Sequence, residues 1–441
     1  MGGSLREKYS TKELKKLVGK RVVVKGWCHD VRDLGGIVFL LLRDRDGVVQ
    51  VTLPKDKVDK GLVEKCKTLH QEDVIAVEGR VLRSRRTRLG VEIFPTSIEI
   101  LSRAETPLPL DPRWITKANL DTRLEWRVLD LRRHETQAIF KVQAKIVEGF
   151  EEYLRKNGYL QVFTPCLIGG VSEGGADVFP IVYFEKQAFL RQDPQLHREL
   201  LIAAGFEKIF DLGPSWRAEP SHTTRHLCEH RGCAVEQAFI KDETDTMRVQ
   251  EELVVYAMKK VRRECREELE LLGKEIKIPK KPFPELRFPR VYEILEEFGK
   301  KISYGEDYDR ESEVLLAKYV KEKHGSDFFF VNRFPFKVKP FYVMRVDEEP
   351  TWARSVDLLF KGVELSSGGQ REHRYEKIVQ QLKEKGMNVE AMRWFIDHFK
   401  YGVPPLGGFN LGVERFTMQL LDIKNIREAV LFPRTPERFL P

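Results

Sequence analysis

The 441-residue chain carries 41% hydrophobic and 33% charged residues and a formal net charge of +8. It exceeds one ordinary core, so two domains are expected, and its basic balance suits a polyanionic partner without establishing RNA. It has no apolar run of about 18 residues and no basic-then-apolar leader; with six scattered cysteines this argues against a membrane span, a secretion signal and a disulfide framework, and a soluble cytoplasmic protein is the expectation.

In the first 105 residues, five β-rich runs (RVVVKGWCHDV, GIVFLLLRD, GVVQVTL, DVIAVEGRVL and VEIFPTSIEIL) are separated by glycines and charged turns. With a helical stretch at 57–69 they predict an OB-fold β-barrel. Such a barrel presents an aromatic on which an unpaired base stacks, with cations nearby for phosphates, and Phe39 is the candidate platform. The plain alternative is a barrel-core aromatic. The basic turn RSRRTR (83–88) reads as a solvated turn or as a phosphate contact. TPLPLDP (106–112) is proline-rich and extended, so 106–135 is expected to be a hinge.

From 136 to 156 apolar residues recur at helical spacing and Asn157-Gly158 supplies a stop, followed by a strand, YLQVFT, ending at Pro165. Ser172-Glu173-Gly174-Gly175 lacks the Gly-Lys-Ser/Thr ending of a phosphate loop. FLRQDPQLHREL (189–200) follows, and then WRAEPSHTTRHLCEHRGCAVEQAF (216–239), which reads as two strands joined by a basic loop. There Arg217 can clamp a phosphate or carboxylate while Glu219, two residues on, can accept from an adenine amino group. The plain reading of Arg-x-Glu is an exposed ion pair. His222, His226, Cys228, His230 and Cys233 suggest zinc by type but not by spacing. Residues 245–272 predict one charged amphipathic helix, and FFFVNRFPFKVKPFYVM (328–344) strands of a central sheet. VDLLFKGVELSSGGQREHR (356–374) holds Asp357, Glu364, Ser366, Ser367 and Arg371; GGFNLGVER (407–415) is a glycine-rich strand-to-helix junction delivering Arg415.

These stretches resemble the class II aminoacyl-tRNA synthetases, specifically the archaeal and eukaryotic-type aspartyl-tRNA synthetases. The most specific parts are LSSGGQREHR (365–374) and TTRHL (223–227), and the likeness runs from GWCHDVRDLGG (26–36) to LFPRTPERFLP (431–441). It implies an α+β chain: an OB-fold anticodon-binding domain (1–105), a hinge (106–135) and an antiparallel-sheet catalytic domain (136–441). It implies an ATP-dependent, AMP-forming aspartate–tRNA ligase that uses Mg²⁺, with tRNA and aspartate as partners and a homodimer as the assembly. Arg217 and Arg415 would be catalytic. Arg217, Glu219, Arg225, His226, Glu364 and Arg415 would bind ATP, with His230 near the adenine. Glu173, Gln192, Asp193, Gln195, Arg198, Ser367 and Arg371 would bind the amino acid. Asp357, Glu364 and Ser367 would hold Mg²⁺, their hard oxygens suiting it. His29, Arg32, Phe39, Gln50 and Glu78 would meet the anticodon, and His29 favours acceptance of both aspartate and asparagine tRNAs.

Several positions depart from the family pattern. A lysine that pairs with the substrate's side-chain carboxylate is Arg198 here, and a buried Arg198 with no anion of its own would favour an acidic substrate; the alternative is that it swings out to solvent. Family members carry Ser at the position of Asp193 and Asp at that of Ala234, an exchange that would move a carboxylate across the ammonium site. Asn410 replaces a motif glycine. A paralogue acting on another amino acid, including asparagine, or on a non-tRNA acceptor, and a non-catalytic RNA-binding protein, are the rival readings.

Overall fold

The structure is a computed structural model describing residues 8–169, 178–220 and 223–440. It divides into two compact units, 1–136 and 137–441. Glu173 and His222 lie outside the described residues.

In the first unit, β1 (Arg21–Asp33), β2 (Ile37–Arg43), β3 (Val48–Pro54), β4 (Val74–Arg83) and β5 (Val91–Ser102) close a barrel in the order β1-β2-β3-β5-β4. The helix Lys60–Lys67 lies between β3 and β4 in the chain, inside the predicted stretch, capped by Asp59 accepting from the Leu62 amide. Val22, Val24, Leu40, Leu42, Val49, Val51, Ile75, Val77 and Ile93 fill the barrel at strand periodicity.

The segment expected to be a hinge packs on this barrel. Gln71 donates to Asp111 (2.7 Å) and Arg113 pairs with Asp30 (3.1 Å). The buried Glu72 accepts twice from Arg43 (2.8 and 2.7 Å) and once from Arg132 (2.9 Å). Removing one partner of such a pair strands a charge, so Glu72→Ala is expected to destabilise this unit by about 3–5 kcal/mol.

The second unit is built on an eight-stranded sheet. Its strands are β6 (Leu160–Gln161), β10 (Lys208–Trp216), β11 (Glu229–Ala238), β12 (Glu285–Arg287), β13 (Phe328–Asn332), β14 (Ser355–Phe360), β15 (Val363–Arg371) and β16 (Leu406–Gly412), ordered β12-β13-β14-β15-β16-β11-β10-β6. The pairings are antiparallel except at the two edges. A small second sheet holds β7 (Leu167–Ile168), β8 (Pro180–Tyr183) and β9 (Lys186–Leu190). The helices His134–Lys156 and Glu243–Glu264 supply the apolar layer that packs with the sheet, with Val142, Ile146, Phe150, Val254 and Val261 in one cluster with Phe330, Leu358 and Phe409.

Two predicted elements are shorter than expected. The helix over 245–272 is two helices, Glu243–Glu264 and Arg266–Leu272, meeting at Cys265. In 328–344 only Phe328–Asn332 is a strand of the sheet; Pro335 and Pro340 lack the amide protons a ladder needs.

The prediction for Glu72→Ala is checked by urea-dependent hydrogen exchange of β1 and β2 amides. An earlier loss of protection is expected, and unchanged protection would show that this ion pair does not hold the barrel.

Candidate active site in the catalytic unit

Three central strands make the floor of a cleft of about 560 Å³. Alternation places Gly232, Ala234 and Glu236 of β11 on one face, opposite Gly412, Asn410 and Gly408 of β16; Ser367 and Gly369 of β15 in turn face Asn410 and Gly408. The floor has little bulk at its middle because Gly408 carries no side chain: a Cβ there would lie 1.9 Å from the Val235 carbonyl oxygen and 2.6 Å from the Glu236 carboxylate.

Gln192, Asp193, Gln195, Arg217, Glu219, Arg225, His226, Asp357, Glu364, Ser367, Arg371 and Arg415 all line this one cleft. Arg198 does not. It is fully buried behind the cleft, which corrects both expectations for it: it neither swings to solvent nor waits for a substrate anion. Its guanidinium donates to both oxygens of Asp193 (2.7 and 3.3 Å) and to Gln195 Oε1 (2.5 Å), and Nε lies 3.7 Å from Glu236. The anion that a buried guanidinium requires is supplied by the protein.

Arg371 belongs to the same cluster but reaches the cleft. Its Nε donates to Glu236 Oε1 (2.9 Å) and its Nη2 to Gln195 Oε1 (3.0 Å). Gln195 completes the hub by donating through Nε2 to Glu236 (3.0 Å) and Glu199 (2.9 Å). Both ends of its amide are therefore engaged by protein groups. Burial pushes the Glu199 carboxyl up to about 8, with the nearby Glu236 adding to the effect. Asp193 is held below the ordinary range: burial alone would raise it, and the Arg198 charge and hydrogen bonds outweigh that.

The outer part of the cleft is cationic. Arg217, just beyond β10, donates to Glu219 (3.4 Å), and Arg415, in the helix Val413–Leu420, donates to the Glu364 carbonyl (3.2 Å). Arg225 is paired with Glu313 (2.7 Å), a residue that no motif or spacing singles out. His226 meets the Thr223 hydroxyl through Nδ1. Burial, with Arg217 and Arg415 beside it, pushes His230 down to about 4, so this imidazole is neutral at physiological pH.

Asp357 and Ser367 are cross-strand partners on β14 and β15, and Glu364 lies near on β15. Burial and the Glu364 charge raise Asp357 well above the usual carboxylate range, although Lys339 Nζ stands 3.4 Å from it. Asp357 Oδ1 is buried and accepts no hydrogen bond from the described residues. A hard cation shared with a bound phosphate fits this donor set. Of the residues that suggest zinc by type, Cys233 is in the apolar core and His222 lies outside the described residues; no three His, Cys, Asp or Glu among the described residues are grouped to hold a metal.

In the barrel unit, Arg32, Phe39 and Thr52 form one cross-strand row, and Asp30, Leu41, Gln50 and Glu92 the next. Phe39 is half-buried and outside the barrel core, unlike its plain alternative. His29 sits at the β1 bulge, its Nδ1 3.2 Å from Arg43. Glu78 is a correction. It stands opposite Val23 on β4 and pairs with Arg21 (2.8 Å), away from the Phe39 row. The acid beside Gln50 is Glu92, which accepts from Gln50 (3.1 Å) and Thr52 (2.6 Å). Sequence reasoning missed it because the β3–β5 pairing joins residues 42 apart. Glu236 was missed too, although period-two counting from Gly232 reaches it.

Residues 119–436 match the model of class II tRNA synthetases (D, K and N), and 22–101 match the OB-fold nucleic acid binding domain. The aspartate–tRNA(Asp) ligase of Pyrococcus furiosus is 47% identical over 99% of this chain and 100% of its own. The aspartate–tRNA(Asp/Asn) ligase of Methanopyrus kandleri is 45% identical over 99% and 100%. Among solved structures, asparaginyl-tRNA synthetase from Pyrococcus horikoshii, complexed with asparaginyl-adenylate, superposes with a TM-score of 0.93 at 34% identity, covering 99% of this chain and 100% of that one. With the floor, the cationic cleft and the barrel all accounted for, the chain belongs to the class II tRNA synthetases of the D, K and N group and is an aminoacyl-tRNA ligase.

Proposed function

We propose that the chain is an aspartate–tRNA ligase, activating aspartate with ATP and transferring it to tRNA. The observation that carries this reading is the meeting of Arg371 and Arg217 at one cleft, Arg371 braced by Glu236 and Gln195. A substrate carboxylate is already a nucleophile, so attack on the α-phosphate requires placement and charge neutralisation more than a base. Arg371 takes the side-chain carboxylate, and Arg217 bridges the reacting carboxylate and the α-phosphate. Arg415, Arg225 and His226 meet the outer phosphates and Glu219 the adenine. Gln192 borders the amino acid. Asp357, Glu364 and Ser367 would hold Mg²⁺, which neutralises phosphate charge when bound. The exposed Phe163, Val182 and Phe184 support a homodimer, because such apolar side chains suit a partner face.

Arg32, Phe39, Gln50 and Glu92 are the anticodon-facing group, with Glu92 in place of Glu78. Acceptance of both aspartate and asparagine tRNAs is part of the reading, in keeping with relatives such as that of Methanopyrus kandleri.

A second reading, activation of asparagine, draws on the charge balance beneath the cleft. Arg198 and Arg371 are opposed by Asp193 and Glu236, and Glu199, with its carboxyl pushed up to about 8, is largely uncharged at neutral pH. The cluster then holds no surplus positive charge for a second substrate carboxylate.

Amino-acid-dependent exchange of pyrophosphate into ATP separates the readings. Exchange with aspartate is expected; exchange with asparagine alone would replace this reading by the second, and none would favour a binding protein. Phe39→Ala and Glu92→Ala are each expected to lower kcat/KM for tRNA about tenfold or more, base stacking alone contributing ~1–3 kcal/mol. Pyrophosphate exchange should be unaffected, and Glu78→Ala should leave tRNA charging near normal. Glu199 gives a pH signature. Its folded pKa is raised, so its contribution to stability is full below the unfolded value and falls as pH rises towards about 8, then levels. Glu199→Gln should therefore flatten the dependence of Tm on pH between roughly 5 and 9; a profile parallel to the unsubstituted protein would count against a protonated Glu199.

A further inference from the structure

We infer that Lys339 is the resident counter-ion of the divalent-cation site: its ammonium neutralises Asp357 in the protein alone and competes with the metal for that carboxylate. The inference rests on the reading of Asp357, Glu364 and Ser367 as Mg²⁺ ligands. Lys339 closes the short helical turn Phe336–Val338 and, like Asp357, lines the cleft. Its Nζ stands 3.4 Å from Asp357 Oδ2 and 3.6 Å from the centre of the Phe334 ring.

Burial sets this pair apart from the neighbouring one. Arg415 and Glu364 (3.5 Å) keep 27% and 37% of their side-chain surface, whereas Lys339 and Asp357 keep only 12% and 7%. Water screens the first pair and does little for the second. Glu364 and Asp307, which also lines the cleft, add negative charge around Asp357. A carboxylate so placed needs a positive charge beside it at all times, and the protein's own is Lys339.

A lysine suits that duty and no other at this position. Its ammonium has three protons and no lone pair, so it replaces the charge of a metal without being able to join the metal's ligand shell. Mg²⁺ needs a close shell of oxygens, and a like charge a few ångströms away opposes it, so Asp357 serves one cation or the other. No three His, Cys, Asp or Glu among the described residues are grouped to hold a metal, so phosphate oxygens complete the shell. ATP brings those oxygens and offers the displaced ammonium new anionic partners. Lys339 thus makes metal entry conditional on the nucleotide.

Mn²⁺ binding to the protein without nucleotide, followed by the electron paramagnetic resonance of the free ion, tests this. Lys339→Met keeps the stem and removes the charge, and is expected to bind Mn²⁺ about tenfold or more tightly than the unsubstituted protein. Lys339→Arg should bind as the unsubstituted protein does. The melting temperature is a second readout: Lys339→Met should melt below the unsubstituted protein in EDTA, with Asp357 left unpaired, and recover when Mn²⁺ is added. Equal or weaker Mn²⁺ binding by Lys339→Met, or a variant unfolded in EDTA that stays unfolded in Mn²⁺, would make Lys339 a packing residue and overturn the inference. Asp357→Asn separates the two readings. Unchanged binding of the Mn²⁺–ATP pair would remove the Mg²⁺ site and the inference with it; weakened binding, with no gain in Lys339→Met, leaves the site standing and removes the inference alone.

Discussion

Two guanidinium groups buried side by side are the constraint on which the catalytic unit depends. Arg198 and Arg371 stand 173 positions apart in the chain, share Gln195 Oε1 as an acceptor and are both opposed by the Glu236 carboxylate. Neither charge could be carried below the cleft alone, since an unpaired buried ion costs several kcal/mol. The helix Gln195–Ala203, β11 and β15 are therefore held in one relative position by charge matching rather than by shape alone. That position in turn fixes where Asp193 and the guanidinium of Arg371 meet the cleft.

The same cluster explains why a rule based on one residue misjudges the pocket. Replacing a lysine by Arg198 looks, in the sequence, like retained positive charge offered to a substrate. In three dimensions that charge is consumed by Asp193, five residues earlier and just ahead of the helix that carries Arg198. The substrate meets the sum of the cluster, and that sum includes a Glu199 that burial keeps largely protonated.

Motif residues were legible wherever alternation or a loop boundary delivers them. Arg217 after β10, Ser367 and Arg371 two pleats apart on β15, and Arg415 at the start of a helix all reach the cleft as their spacing implies. Strand pairing was not legible. Glu92 rather than Glu78 stands with Gln50 because β3 runs parallel to β5, a neighbour relation that no local pattern contains. The hinge escaped for a similar reason: its prolines describe an extended chain, whereas its acids and arginines find Gln71, Asp30 and Glu72 on the barrel. Counter-ions for the cations in and beneath the cleft, Glu313 and Glu236 among them, were missed because a glutamate in a charged sequence carries no mark of the partner it will pair with.

The close contact between Asn410 and Gly232 also ties two neighbouring strands together. The asparagine amide fills the space that a Cβ at 232 would need, its Oδ1 lying 2.0 Å from that point. A side chain introduced at 232 is accommodated only if the amide at 410 turns away, so the two positions respond to substitution as a pair rather than one at a time.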